Sequence, residues 1–230
     1  WFGTGAGPIA PTYHLTGTTL RGDETEAEVT LPNAQTHRLH IQSLGAHFAM
    51  NALGALACLA ALDLDLAKAV QSLSLWSPVT GRGARETVSL DAGQGEILLL
   101  DDSYNANPTS VAAALAVLAA TPCAGRRIAY LGDMKELGPQ EQRLHSDLAD
   151  LDAVQALDEI HCIGPLMGAL HAALPVDKRG GHYATSHDVR ADLAGHIAAG
   201  DVVLAKGSLS MALAKVVDGI RELGHGEATF

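Results

Sequence analysis

The sequence predicts an α/β fold built on a mainly parallel, doubly wound sheet with one antiparallel edge, and three observations predict it. From residue 86 onward, short branched apolar runs alternate with alanine- and leucine-rich helical stretches, the rhythm of repeated strand–helix units. Three of these runs stop abruptly at polar residues: DDSYN after 97–100, GDMK after 128–131 and KGS after 202–205. In an open sheet the ligand crevice lies outside the carboxyl ends of the strands, where these residues fall. An alternating segment before the first run, joined to it through AGQG, reads as a hairpin and supplies the antiparallel edge. The expected architecture is a Rossmann-like domain at residues 81–230 preceded by the end of another α/β domain at residues 1–80.

Composition bounds the function. A chain of 230 residues suits one large domain or two small ones, and 47% apolar residues supply ample core. The net charge of −11 opposes binding to nucleic acid or an anionic membrane through a basic patch. No apolar run nears the ~18 residues of a membrane span and the first residues lack a signal pattern, so a cytoplasmic monomer is expected. Cys58, Cys123 and Cys162 show no paired metal spacing, and the eleven histidines form no HExxH or similar cluster. No metal site built from this chain alone is expected.

Taken in order, WFGTGAGPIAP has no helix or strand period and reads as a stretch from inside a longer chain. Residues 27–31 and 37–41 alternate apolar and polar positions, as half-buried strands do, with PNAQ as their turn. Residues 47–62 are apolar on nearly every face and predict a buried helix. Its polar exceptions, His47 and Asn51, are four apart and share a face, so both can point toward one crevice, although spacing alone favours a capping histidine and a satisfied core asparagine. A second helix is expected at about 65–75. WSPVTGRGARE then breaks the pattern with a proline and two glycines, and the domain boundary is placed there. A hairpin follows at 87–91 and 96–100, with further strands at 127–131, 159–163, 182–184 and 202–205. Helices are expected at 108–120, 140–157, 166–174, 187–198 and 209–223, the last with Leu209, Leu213, Val216, Val217, Ile220 and Leu223 facing the core.

The most informative stretch is EILLLDDSYNANPTS, residues 96–110. Pro108 suits a first helical position and Asn107 before it can cap. Six polar residues in seven positions exceed what a strand-to-helix turn of ~2 to 6 residues needs. Asp101, Asp102, Ser103, Tyr104, Asn105 and Asn107 are therefore expected to line a crevice, against the plainer reading of turn formers. Arg82, between two glycines, is either a solvated linker charge or a rigid fork able to approach phosphate. Lys135 and Lys206 are two of only five lysines, and both end strands at an edge that favours anions. Ser208 follows Lys206 at the expected start of the last helix.

DDSYNANP resembles the adenine and ribose loop of the Mur ligase family, and GAHFAMNALGALA is similar to that family's GxHxxxNAxAA helix. The Gly-Arg pair at 81–82 resembles the motif between its central and C-terminal domains, while LGDMKELG and KGSLSM resemble segments of its dipeptide-adding branch. The resemblance covers nearly the whole chain, strongest from 45 to 211. It implies nucleotide contacts at Asn51, Arg82, Asp102, Tyr104 and Asn105, substrate contacts at Lys135, Lys206 and Ser208, and catalytic parts for Arg82 and Lys135. Residues 1–80 would then end a central ATP-binding domain, and 81–230 would form the C-terminal domain.

For a whole protein the resemblance implies an ATP-dependent amide-bond ligase of peptidoglycan precursor synthesis. Its substrates would be D-alanyl-D-alanine and UDP-N-acetylmuramoyl-tripeptide, joined through an acyl phosphate, with Mg2+ held mainly by residues outside this sequence. No GxxxxGK[ST] phosphate loop occurs here, so this chain alone is expected to be inactive. The alternative is a noncatalytic nucleotide-binding module of the same fold. An oxidoreductase ranks third, since no GxGxxG follows a strand.

Overall fold

A computed structural model describes residues 2–4, 12–22, 24–32, 35–90 and 95–224. The chain divides into two compact units, Trp1–Pro78 and Val79–Phe230.

The first unit is a four-stranded sheet of β1 (Phe2–Gly3), β2 (Tyr13–Arg21), β3 (Glu24–Thr30) and β4 (Thr36–Ile41), under α1 (Ala46–Ala61) and α2 (Leu66–Leu73). Strand alternation explains its core. Ala27 and Val29 of β3 and Leu39 and Ile41 of β4 point inward, while Glu24 and Glu28 face solvent. α1 lays Ala49, Ala52, Leu53 and Leu56 on that face. Thr25 fixes the helix entry, donating to the Ser43 carbonyl at 2.7 Å and accepting the Gly45 N–H at 2.9 Å.

Three expectations change here. β2 was not foreseen, because its threonines and Gly17 blur the apolar alternation, and a bulge between Leu15 and Gly17 shifts its register. β1 is a two-residue strand where none was expected. α1 was expected to be buried apart from His47 and Asn51, yet Ala55, Cys58 and Leu62 are exposed along the same stripe, because this unit's sheet covers only one side of the helix. Asn33 and Ala34 of the PNAQ turn lie outside the described residues, as do the first three of AGQG.

The second unit is a six-stranded sheet. β5 (Ala84–Leu90) pairs antiparallel with β6 (Gly95–Asp102), and α3 (Pro108–Ala120) leads to β7 (Arg127–Gly132). α4 (Glu141–Ser146), α5 (Asp152–Gln155), β8 (Glu159–Ile163), α6 (Met167–Ala173), β9 (Arg179–Tyr183), α7 (Ser186–Arg190), α8 (Leu193–His196), β10 (Val202–Lys206) and α9 (Ala214–Glu222) follow. The sheet order is β5-β6-β10-β7-β8-β9, parallel except for β5. The mainly parallel sheet with one antiparallel edge is thus as the sequence predicts. Buried on both faces, β10 consists of fully apolar positions until Lys206. One apolar layer gathers α3 and α6 against the sheet; the other gathers α7 and α9.

Three expected helices are interrupted. The stretch 140–157 splits where Leu151 turns extended, and 187–198 splits into α7 and α8. In the last, Ala212 takes a left-handed φ of 52° and re-aims the chain before α9. Leu209 is therefore 63% exposed, correcting its expected core position, whereas Leu213, Val216, Val217 and Ile220 are buried as their spacing predicts. No helix among the described residues is long and apolar enough to cross a membrane.

Candidate functional site

Three loops meet at the carboxyl ends of the central strands, because β10 lies between β6 and β7. The loop after β6 is held from within. Successive side chains on a strand alternate faces, so Asp101 and Asp102 have different partners. Asp101 is buried: its Oδ2 accepts the Gly81 N–H at 3.1 Å, and its Oδ1 accepts the Ser103 hydroxyl at 2.6 Å. Asp102 accepts from the Lys206 ammonium at 2.6 Å. Burial pushes the Asp102 carboxyl above the ordinary carboxylate range, and Lys206 pulls the other way. Asn105 accepts the Ala106 N–H on its side chain, and Asn107 with Ser110 forms a reciprocal cap at the start of α3.

Arg82 stands in a tight turn between Gly81, at φ 78°, and Gly83, at φ 85°. Both angles lie in the left-handed region that glycine enters without a Cβ clash. Its guanidinium sits 4.1 Å from the centre of the Tyr104 ring, a cation–π stack that leaves both residues exposed. Tyr104 donates its backbone N–H to the Gly81 carbonyl at 2.9 Å, which fastens the loop to the turn.

The loops after β7 and β10 are stapled together. The Ser208 hydroxyl accepts the Lys135 N–H at 2.8 Å, and the Ser208 N–H donates to the Asp133 carbonyl at 3.1 Å. Asp133 is fully buried, accepting the Met167 N–H at 2.9 Å and the Lys135 ammonium at 2.8 Å. Gly164 allows this: a Cβ there would lie 2.5 Å from the Asp133 carboxylate.

Of the expected site residues, the second unit brings Arg82, Asp102, Tyr104 and Asn105 into one group and Lys135 and Ser208 into the adjoining one. Asn51 is exposed on α1 of the first unit. The side chain of Lys206, expected among the substrate contacts, is 2% exposed, its ammonium bonded to Asp102 and, at 2.9 Å, to the Asn105 carbonyl. Asp101 and Ser103, expected to line the crevice, are instead buried beneath it, and Arg221 was not among the expected residues. The adjacent aspartates were the available signal for the first, because alternation sends one of such a pair inward; Arg221, reaching Glu86 at 2.8 Å and Asp101 at 3.7 Å, carries none in its local sequence.

Among the described residues, Glu159, His161 and His196 bring ligand atoms within 4.8 Å of one another. The Gly181 N–H donates to His161 Nδ1 at 3.0 Å, so the neutral ring carries its proton on Nε2, 3.3 Å from Glu159 Oε1. A metal would need the lone pair of that nitrogen, and a bound imidazole donates from its other one. The donor set therefore suits a proton better than a cation.

Comparisons agree with this geometry. Residues 86–209 match the family model for "Mur ligase, glutamate ligase domain". The chain is 31% identical over 189 residues to UDP-N-acetylmuramoyl-tripeptide--D-alanyl-D-alanine ligase of Bacillus subtilis, covering 79% of this chain and 39% of that protein. It is 33% identical over 218 residues to the Escherichia coli protein of the same name, covering 94% and 44%. The chain thus spans under half the length of these relatives. Its fold is similar to a MurF ligase from Thermotoga maritima in complex with ADP, with a TM-score of 0.77 at 21% identity over 99% of this chain and 49% of that one. A MurF from Acinetobacter baumannii gives 0.76 at 24% identity, over 96% and 46%. With its glutamate ligase domain matched over more than half its length, and the three strand-end loops in place, the chain belongs to the Mur ligase family.

Proposed function

We propose that the protein is the nucleotide- and amine-handling part of an ATP-dependent amide-bond ligase of peptidoglycan precursor synthesis, one that adds D-alanyl-D-alanine to UDP-N-acetylmuramoyl-tripeptide. One observation carries the reading: an exposed Arg82–Tyr104 stack beside Asp102, at the carboxyl edge of a parallel sheet. Ring face, fork and carboxylate together suit a nucleotide's base, phosphate and ribose hydroxyls. The relative from Thermotoga maritima, solved with ADP, supports the same use.

In this reading Asp102, Tyr104 and Asn105 hold the adenosine, and Asn51, on the first unit, is an adenine contact only as the family resemblance implies. Arg82 faces phosphate, and Lys135 and Ser208 face the amino substrate or the group in transfer. Lys206 contributes indirectly, by fixing Asp102. The tripeptide carboxylate takes the terminal phosphoryl group of ATP; the dipeptide amine then attacks the acyl phosphate, loses a proton and releases phosphate, leaving an amide and ADP. Mg2+ would neutralise the phosphate charge during transfer. As the family resemblance implies, its ligands would lie mainly outside this sequence.

Calorimetry with ADP tests the reading. Weak binding is expected, and Asp102→Ala should weaken it by about 1 to 3 kcal/mol if the carboxylate accepts ribose hydroxyls. Equal affinity in both proteins moves the nucleotide away from this loop. The chain alone, given ATP, Mg2+ and D-alanyl-D-alanine, should release no more phosphate than a heat-denatured control; clear turnover would mean that the chemistry lies in residues described here.

A further inference from the structure

We propose that Asp101 is a positioning residue whose task is to seat the Arg82 guanidinium on the Tyr104 ring. Asp101 touches the turn of Arg82 on both sides. Its side chain accepts the Gly81 N–H at 3.1 Å, and its backbone carbonyl accepts the Gly83 N–H at 2.9 Å. The same carboxylate accepts the Ser103 N–H at 3.2 Å and the Ser103 hydroxyl at 2.6 Å, fixing the residue before Tyr104. One buried side chain therefore sets both halves of the stack.

The arrangement has little to do with anchoring the fold. Asp101 is 2% exposed, so no ligand reaches its carboxylate, and all four of these bonds are to groups of the turn or loop that carry Arg82 and Tyr104. The turn has left-handed glycines on both sides of Arg82, a shape that a free chain holds only among many others. A charged acceptor on the Gly81 N–H removes that freedom. Gly81 also lies where a Cβ would come within 3.2 Å of the Tyr104 Cβ, so turn and ring are already in close approach. Arg221 of α9 stands 3.7 Å from Asp101 and supplies the opposing charge.

Asp101→Asn is the sharpest test, because an amide keeps one oxygen and turns the other acceptor into a donor facing a donor. The Arg82 side-chain protons, shielded by the Tyr104 ring in the unsubstituted chain, should move in the NMR spectrum to the shifts of a free arginine. The consequence for affinity rests on the nucleotide reading given above: ADP should bind about tenfold more weakly to Asp101→Asn, while the same change in an Arg82→Ala background should cost less than about twofold. Unchanged Arg82 shifts in Asp101→Asn overturn the inference and leave the nucleotide reading standing. Additive losses in the double variant overturn it as well. Absence of ADP binding to the unsubstituted chain overturns the nucleotide reading, and the shifts still decide the positioning role. Should Asp101→Asn fail to fold, hydrogen exchange in the unsubstituted chain decides instead: the Gly81 amide should be strongly protected, and free exchange there refutes the proposal.

Discussion

Lys206 and Asp102 are register partners on neighbouring parallel strands, and their side chains close the register with a 2.6 Å ion pair. The ammonium is 2% exposed, so its attraction to the carboxylate is screened little by water. Removing one member leaves the other charged and half buried. Lys206→Met should therefore lower unfolding stability by about 2 to 4 kcal/mol, and adding Asp102→Asn should restore a good part of it. Urea denaturation of the single and double variants checks this. A Lys206→Met protein as stable as the parent would mean that the pair is not formed in solution.

Gly164 is the second sensitive point. It sits at φ 105°, and a Cβ there would lie 2.5 Å from the Asp133 carboxylate, which holds Lys135 and caps Met167. Gly164→Ala combines a strained backbone with displacement of a buried charge. A loss of roughly 2 to 4 kcal/mol is expected, seen as a lower melting temperature. A change within about 0.5 kcal/mol would show that the loop relaxes freely.

The corrected course of the last helix is testable by contrast. Leu213 is fully buried beside Gly132 and Gly207, whereas Leu209 is 63% exposed. Leu213→Ala should cost about 2 to 5 kcal/mol and Leu209→Ala less than about 0.5 kcal/mol. The uninterrupted helix expected from periodicity predicts comparable losses.

His161 gives a dependence on pH. Burial pushes its imidazole down to about 4, with His196 and Arg126 acting in the same direction and Asp192 against it. The unfolded ring takes up a proton near its ordinary 6.5, so between about 6.5 and about 4 the unfolded state binds more protons. Stability contributed by the neutral ring is complete above that window and is lost as pH falls through it, by up to roughly 3 kcal/mol. Urea midpoints at about pH 7 and about pH 4.5 should differ less in His161→Gln than in the parent. An identical difference in both proteins would assign the acid sensitivity elsewhere.

The sheet and the loops at its carboxyl edge were legible because the strands of the second unit are buried on both faces and end sharply at polar residues. β2 was not, since half its positions are threonine, glycine or charged, and its pairing with β3 supplies what its own pattern lacks. The breaks near Leu151, where the backbone turns extended, and Ala212, which takes a left-handed φ, fall inside apolar periods that do not record them. For the site, residue types at strand ends announced Arg82, Asp102 and Tyr104. They could not show which charges face outward: Lys206 reads as an anion contact until its partner, 104 residues away, is seen beside it.

That separation bears on how the molecule comes into being. β10 occupies the slot between β6 and β7, so these two strands do not pair with each other and are joined through a segment that follows both in the sequence. Until β10 is in place, β6 and β7 each leave one edge of unpaired N–H and C=O groups open to stray strands. The same strand that completes the sheet carries Lys206 to Asp102, so the loop after β6 and the centre of the sheet are tied by one segment. Without β10 the second unit would have neither a continuous sheet nor the ammonium that holds Asp102.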